Sequence, residues 1–155
     1  MKTLVAYFSA EAGITKSVAE KLAGITSADL FEIKPAEPYT KADLNYTNPL
    51  ARCNKEKMLK KDVPVAGYPD DFSQYDMVLI GFPIWYGCAP NVVSTFCKGL
   101  DFSGKKVAAF ATSGGSGIGK TADKLNPYVE GAEVVDAKLF NNASSDSIRA
   151  WVESL

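Results

Sequence analysis

Met77-Val78-Leu79-Ile80-Gly81-Phe82 is an unbroken apolar run, and that constrains the fold more than any other feature. A strand with no polar face is buried on both sides, so helices must cover each side of the sheet that contains it. The same character appears in Leu4 to Phe8 and in Val107 to Ala111. Between these runs the apolar spacing becomes helical. Ile14, Val18, Leu22 and Ile25 share one stripe, and Val93, Phe96, Cys97 and Leu100 share another. Leu30 to Ile33 reads as a further strand, stopped by Pro35, with Glu32 suited to a sheet edge. Glu133 to Phe140 completes five strands. The expected architecture is α/β: a three-layer α/β/α doubly wound sandwich around a five-stranded parallel sheet, with residues 1–155 forming a single domain.

Proline and glycine punctuate this alternation. Pro35, Pro38, Pro49, Pro64 and Pro69 mark residues 35–70 as an irregular excursion, interrupted by one helix from about Pro49 to Lys60. A second helix is expected from Pro90, with that proline in its first turn, ending where Gly99 and Gly104 follow. Ile118, Ala122 and Leu125 form the stripe of a third, which Pro127 should end or kink, because it lacks an N–H and biases Asn126 away from helical geometry. The last begins near Ser144 or Ser145 and aligns Ile148, Trp151, Val152 and Leu155.

Composition narrows the chemistry. With 155 residues, 46% of them apolar, the chain can bury one core without covalent staples. No stretch approaches the roughly 18 apolar residues of a membrane helix, and the start lacks the basic-then-apolar layout of a secretory signal. No membrane association is expected, and the expected location is cytoplasmic. Histidine is absent, and Cys53, Cys88 and Cys97 show no C-x-x-C spacing. That argues against zinc, any other metal site, disulfides and a Ser-His-Asp triad. Acid–base chemistry near neutrality then needs a perturbed side chain or a cofactor. The 17 basic and 18 acidic residues are interspersed, so no nucleic-acid footprint is expected. The lysines from Lys55 to Lys61 read as a solvated helix face, and Cys88 as a small packing residue.

Candidate functional residues gather at three strand exits. After the first strand, Ser9-Ala10-Glu11-Ala12-Gly13-Ile14-Thr15-Lys16-Ser17 turns into a helix. A helix N-terminus leaves backbone N–H groups without intrahelical partners and carries partial positive charge, which suits a phosphate. Ser9, Thr15 and Ser17 can add hydroxyl donors, and Gly13 allows close approach. The alternative is an ordinary turn with Thr15 as N-cap. After the third strand, Pro83-Ile84-Trp85-Tyr86-Gly87 places two adjacent aromatics on a loop, where Trp85 or Tyr86 can offer a face to a planar ring. In the competing reading one ring packs on the following helix and the other is merely exposed. After the fourth strand, Thr112-Ser113-Gly114-Gly115 opens a second glycine-rich turn. In doubly wound sheets ligands bind beyond the carboxyl ends of strands. A phosphate together with a planar ring describes a nucleotide-like cofactor.

On these residues the chain resembles the flavodoxins and flavodoxin-like FMN proteins of the short type, along essentially its whole length. Ser9 to Thr15 resembles their S/T-x-T-G-x-T phosphate loop, one residue longer and carrying Glu11; Pro83 to Gly87 is similar to their first ring loop and Thr112 to Gly115 to their second. The resemblance implies the family's strand order 2-1-3-4-5, which spacing alone does not show. It also implies non-covalent FMN, with Ser9, Ala12, Gly13, Ile14 and Thr15 at the phosphate. Pro83, Ile84, Trp85, Tyr86 and Gly87 would lie along the ring, and Thr112, Ser113, Gly114 and Gly115 at its polar edge. Glu11 is expected to point to water, away from the phosphate. No aromatic lies between Thr112 and Gly119, so one flavin face is expected to be open.

The function implied is electron transfer with redox partner proteins, from a monomer or weak dimer. An alternative is an NAD(P)H-dependent quinone or nitro-compound reductase acting on a small-molecule acceptor, which the near-neutral net charge of −1 favours over a strongly acidic carrier. A non-flavin phosphate-binding regulatory module is a third reading. It fits poorly, because Glu11 stands alone where a receiver domain needs clustered acids.

Overall fold

Five strands form one parallel sheet: β1 (Thr3–Tyr7), β2 (Asp29–Glu32), β3 (Met77–Pro83), β4 (Lys106–Thr112) and β5 (Val134–Leu139). Their order is β2-β1-β3-β4-β5, which is the doubly wound arrangement expected. The computed structural model of the protein describes residues 2–9, 13–37, 40, 42–44, 47–48, 50–52, 55–56, 63–85, 89–113, 117–140 and 144–155. The helices are α1 (Ile14–Thr26), α2 (Asn91–Lys98), α3 (Thr121–Leu125) and α4 (Ser145–Ser154).

Strand alternation sends apolar side chains to both faces. Leu4, Ala6, Val78, Ile80, Phe82, Val107 and Ala109 face one layer, where Val92, Val93 and Phe96 of α2 and Leu125 of α3 cover them. Val5, Tyr7, Leu79, Ala108 and Phe110 face the other, beneath Val18, Ala19 and Leu22 of α1 and Ile148 and Trp151 of α4. The central strands are therefore sealed on both sides, while β2 and β5, each with one neighbour, are more exposed. Trp151 completes its packing by donating its indole N–H to Asp136 of β5 (2.8 Å). The Ser144 hydroxyl caps α4 by accepting from the Ser147 N–H (3.2 Å).

Several boundaries differ from the sequence reading. β2 ends at Glu32, and Ile33 follows it as a buried residue whose N–H donates to the Tyr7 carbonyl (2.6 Å). Pro90 is the N-cap of α2 and does not lie in its first turn; its carbonyl accepts from Val93 (3.0 Å). Ile118 lies outside α3, which starts at Thr121. Asn126 keeps right-handed helical dihedrals (φ −47°, ψ −43°) despite Pro127, and the helix stops by tightening into a 3₁₀ turn over Asn126–Tyr128. A favourable contact offsets the pre-proline bias there, since the Asn126 side chain accepts from the Val134 N–H at the start of β5 (2.7 Å).

The excursion after β2 leaves and returns at one place. Pro35 and Val65 form an isolated antiparallel bridge, flanked by bonds from Ala36 to the Pro64 carbonyl (2.8 Å) and from Ala66 to the Lys34 carbonyl (2.7 Å). Lys55 donates helically to the Ala51 carbonyl (3.1 Å), but much of the helix expected from Pro49 to Lys60 lies outside the described residues.

Candidate functional site

The carboxyl ends of β1, β3 and β4 stand side by side. Tyr7 is in register with Gly81, Gly81 with Phe110, and Pro83 with Thr112. The chain passes from β1 to β2 on one side and then crosses to β3 on the other, so strand order reverses between β1 and β3. A crevice beyond the strand ends forms at such a point.

At the β1 exit, Gly13 is the N-cap of α1 and adopts a left-handed conformation (φ 72°, ψ 10°), which glycine enters without a steric cost. The alternative with Thr15 as N-cap is therefore incorrect: Thr15 is the second residue of the helix. The Ser9 hydroxyl reaches across the turn and accepts the Lys16 N–H (3.3 Å). Ser17 closes the first helical bond, to the Gly13 carbonyl (3.1 Å), and is exposed. The stripe through Ile14 is also corrected. Ile14 is 51% exposed, and Thr15, Val18, Ala19 and Leu22 form the buried face. The reason is a hydrogen bond, because rotating Thr15 inward brings its hydroxyl to that of Thr112 at the tip of β4 (2.7 Å). Thr15 is 2% exposed and Thr112 4%.

The β3 exit carries Pro83, Ile84 and Trp85, all half-buried. Ile84 donates its N–H to the Thr112 carbonyl (2.8 Å), so β3 and β4 stay joined past the end of β3. Trp85 meets the ring of Phe8 edge to face, with centroids 5.6 Å apart and an interplanar angle of 89°. Phe8 is buried, and its N–H donates to the Gly81 carbonyl (2.9 Å). Trp85 thus rests on the ring of Phe8, the residue that follows β1, and packs against the core layer that also holds Val92, Val93 and Phe96 of α2. Ser113 continues from Thr112 and is half-buried. Of the sequence-derived site residues, Ser9, Gly13, Ile14, Thr15, Pro83, Ile84, Trp85, Thr112 and Ser113 are brought to this one edge. Ala12, Tyr86, Gly87, Gly114 and Gly115 lie outside the described residues, as do Glu11 and Cys88.

Residues that spacing did not single out hold these loops. Phe8 supports Trp85, and the Asn91 side-chain amide donates to the Glu56 carbonyl (3.0 Å), which sets part of the excursion beside the start of α2. Arg52 anchors that segment through Glu56 (2.9 Å) and the Glu37 carbonyl (2.8 Å). The Arg52–Glu56 pair has the i, i+4 spacing of a helix, whereas the contacts from Asn91 to Glu56 and from Trp85 to Phe8 join residues far apart in the chain that no local motif pairs. Beneath the site, burial raises the Tyr7 phenol above its usual range, with the charges of Glu32 and Glu20 adding to the effect. Tyr7 is therefore neutral at physiological pH. A separate groove of about 480 Å³ runs along the β2 edge past Leu4, Asp29, Tyr68, Asp70 and Tyr75. It shares no residue with the three exits.

Among the described residues no group of three or more histidine, cysteine, aspartate or glutamate side chains could hold a metal ion. Among them, too, no helix is long and apolar enough to cross a membrane. Residues 2–155 match the family model described as Flavodoxin. A proposed flavoprotein from Bacteroides eggerthii DSM 20697 is 40% identical, with a TM-score of 0.90 over 99% of this chain and 96% of that one. A second proposed flavoprotein, from Bacteroides uniformis ATCC 8492, is 37% identical, with a TM-score of 0.91 over 98% and 97%. A flavoprotein in complex with FMN from Lactobacillus acidophilus NCFM is 27% identical, with a TM-score of 0.74 over 97% and 98%. No curated protein matches the sequence.

Proposed function

The chain belongs to the flavodoxin family, and from that premise we propose that it binds FMN at the β1/β3/β4 edge and transfers electrons between redox partner proteins. The observation that carries this reading is the convergence of a left-handed glycine N-cap, two hydroxyl side chains and an indole on three adjacent strand ends. The chemistry of that set fits FMN. The first turn of α1 and the hydroxyls of Ser9 and Thr15 suit a dianionic phosphate. Trp85 suits a flat ring, a contact worth on the order of 1 kcal/mol beyond area burial. The Lactobacillus relative, in complex with FMN, supports the same assignment.

When bound, the flavin supplies the redox chemistry. The protein's own residues bind and orient it. Ser9 holds the N–H of Lys16, Gly13 turns the chain so that α1 points its positive end at the edge, and Phe8 fixes Trp85 from below. Purified protein loaded with FMN should accept electrons from an added flavodoxin reductase and pass them to a second redox protein, while oxidising no NADH or NADPH by itself. A second reading, an NAD(P)H-dependent reductase of a small acceptor such as a quinone, is favoured by the net charge of −1, which gives little field to steer a basic partner. Steady NADH or NADPH oxidation by the protein alone with a quinone would select it and overturn the carrier assignment.

A further inference from the structure

We propose that Thr112 is a positioning residue for the phosphate end of the site, acting through Thr15, an inference that rests on the FMN reading above. Thr112 links all three exits. Its hydroxyl bonds that of Thr15 on the first turn of α1 (2.7 Å), its carbonyl accepts the Ile84 N–H beyond β3 (2.8 Å), and its own chain continues into Ser113. Both threonines are almost wholly buried, so this bond does not exchange freely with water.

The direction of the hydroxyl pair follows from the ligand. Each hydroxyl has one hydrogen to donate and lone pairs to accept with, whereas a phosphate dianion only accepts. If Thr15 donated to Thr112 it would turn lone pairs toward the phosphate and repel it. When Thr112 donates to Thr15, the Thr15 hydrogen is left for the phosphate, and the chain of bonds polarises in the favourable sense. Thr112 therefore acts at a distance, by setting which way Thr15 donates, and the ring loop at Ile84 is held by its carbonyl, which side-chain substitution leaves in place.

The test is FMN titration of the full-length protein, followed by quenching of flavin fluorescence, with phosphorus NMR of the bound FMN. Thr112→Val keeps the shape and removes the hydroxyl; it should weaken FMN binding roughly tenfold or more. The phosphorus resonance should move while the visible flavin bands stay in place. Thr112→Ser should restore affinity to within about threefold. Should Thr112→Val fail to fold, Thr112→Cys, with a thiol that donates only weakly, takes its place and should show the same order. Wild-type affinity and an unmoved phosphorus resonance in the hydroxyl-free variant would overturn the proposal, as would a loss that serine does not rescue. Failure of the wild-type protein to take up FMN would instead overturn the reading on which it rests.

Discussion

Gly81→Ala places a methyl group against the buried ring of Phe110, on the strand end beneath the candidate site. A Cβ built on Gly81 would lie 2.1, 2.3 and 2.7 Å from Cζ, Cε2 and Cε1 of Phe110. Ordinary carbon contacts begin near 3.5 Å, so the ring must shift by about 1.4 Å. Phe110 is fully buried and shares its cluster with Leu22, Phe140 and Trp151, which leaves little room for that movement. Overpacking of this kind costs about 2–3 kcal/mol. Alanine also restricts the unfolded chain and returns about 0.5–1 kcal/mol. The net loss is about 1–2 kcal/mol, or a melting temperature lower by roughly 2–8 °C for a domain of this size. Phe110→Leu removes the atoms in conflict at a cost of about 1–2 kcal/mol by itself. Combined with Gly81→Ala it should cost about 1 kcal/mol less than the sum of the two single variants. Urea unfolding of all four proteins measures that coupling. Costs that add to within about 0.5 kcal/mol, or a Gly81→Ala protein as stable as wild type, would refute the argument.

Gly13→Ala should cost about 1–2 kcal/mol, because its φ of +72° is left-handed although a Cβ there meets nothing within 4 Å. Gly13→Asn should cost less, and equal losses for the two in urea unfolding would count against a purely backbone cause. Burial, the hydrogen bond to Asp29 and the charges of Asp29 and Asp71 push the Tyr75 phenol up to about 12 from 10.0. The folded state therefore holds this proton more tightly than the unfolded one. That stabilisation is complete below pH 10 and is lost as pH rises toward about 12. Tyr75→Phe should flatten the stability profile across that window, and parallel profiles would contradict the assignment. Cys97 is fully buried, with its thiol pushed up to about 12 by desolvation. A thiol reagent followed by peptide mass mapping should label it only after unfolding, whereas labelling of the native protein at a free-thiol rate would show the core to be open.

The central strands were readable because burial on both faces leaves a signal in every residue: Met77 to Phe82 carries it without a gap, and β3 spans Met77–Pro83. The start of α4 was readable for a local reason, since Ser144 caps its own helix three residues on. Strand order came from family resemblance and was then observed. What depended on distant pairing was not readable. Ile14 and Thr15 sit one helical step apart, and the choice of which faces inward was made by a hydroxyl 97 residues away. Trp85 found its partner on Phe8 through parallel register, and the excursion closed through Pro35 and Val65, 30 residues apart in the chain, with no repeat or motif to mark the pairing. Pro127 shows the reverse: a correct local bias at Asn126, overridden by one side-chain bond to β5.

The measurement that bears most directly on the whole account is calorimetric titration of the folded protein with FMN and, separately, with riboflavin. Saturation at one FMN per chain, with riboflavin bound at least tenfold more weakly for want of the phosphate that α1 and its hydroxyls receive, is the predicted result. No heat of binding from FMN, or riboflavin bound as tightly as FMN, would contradict it.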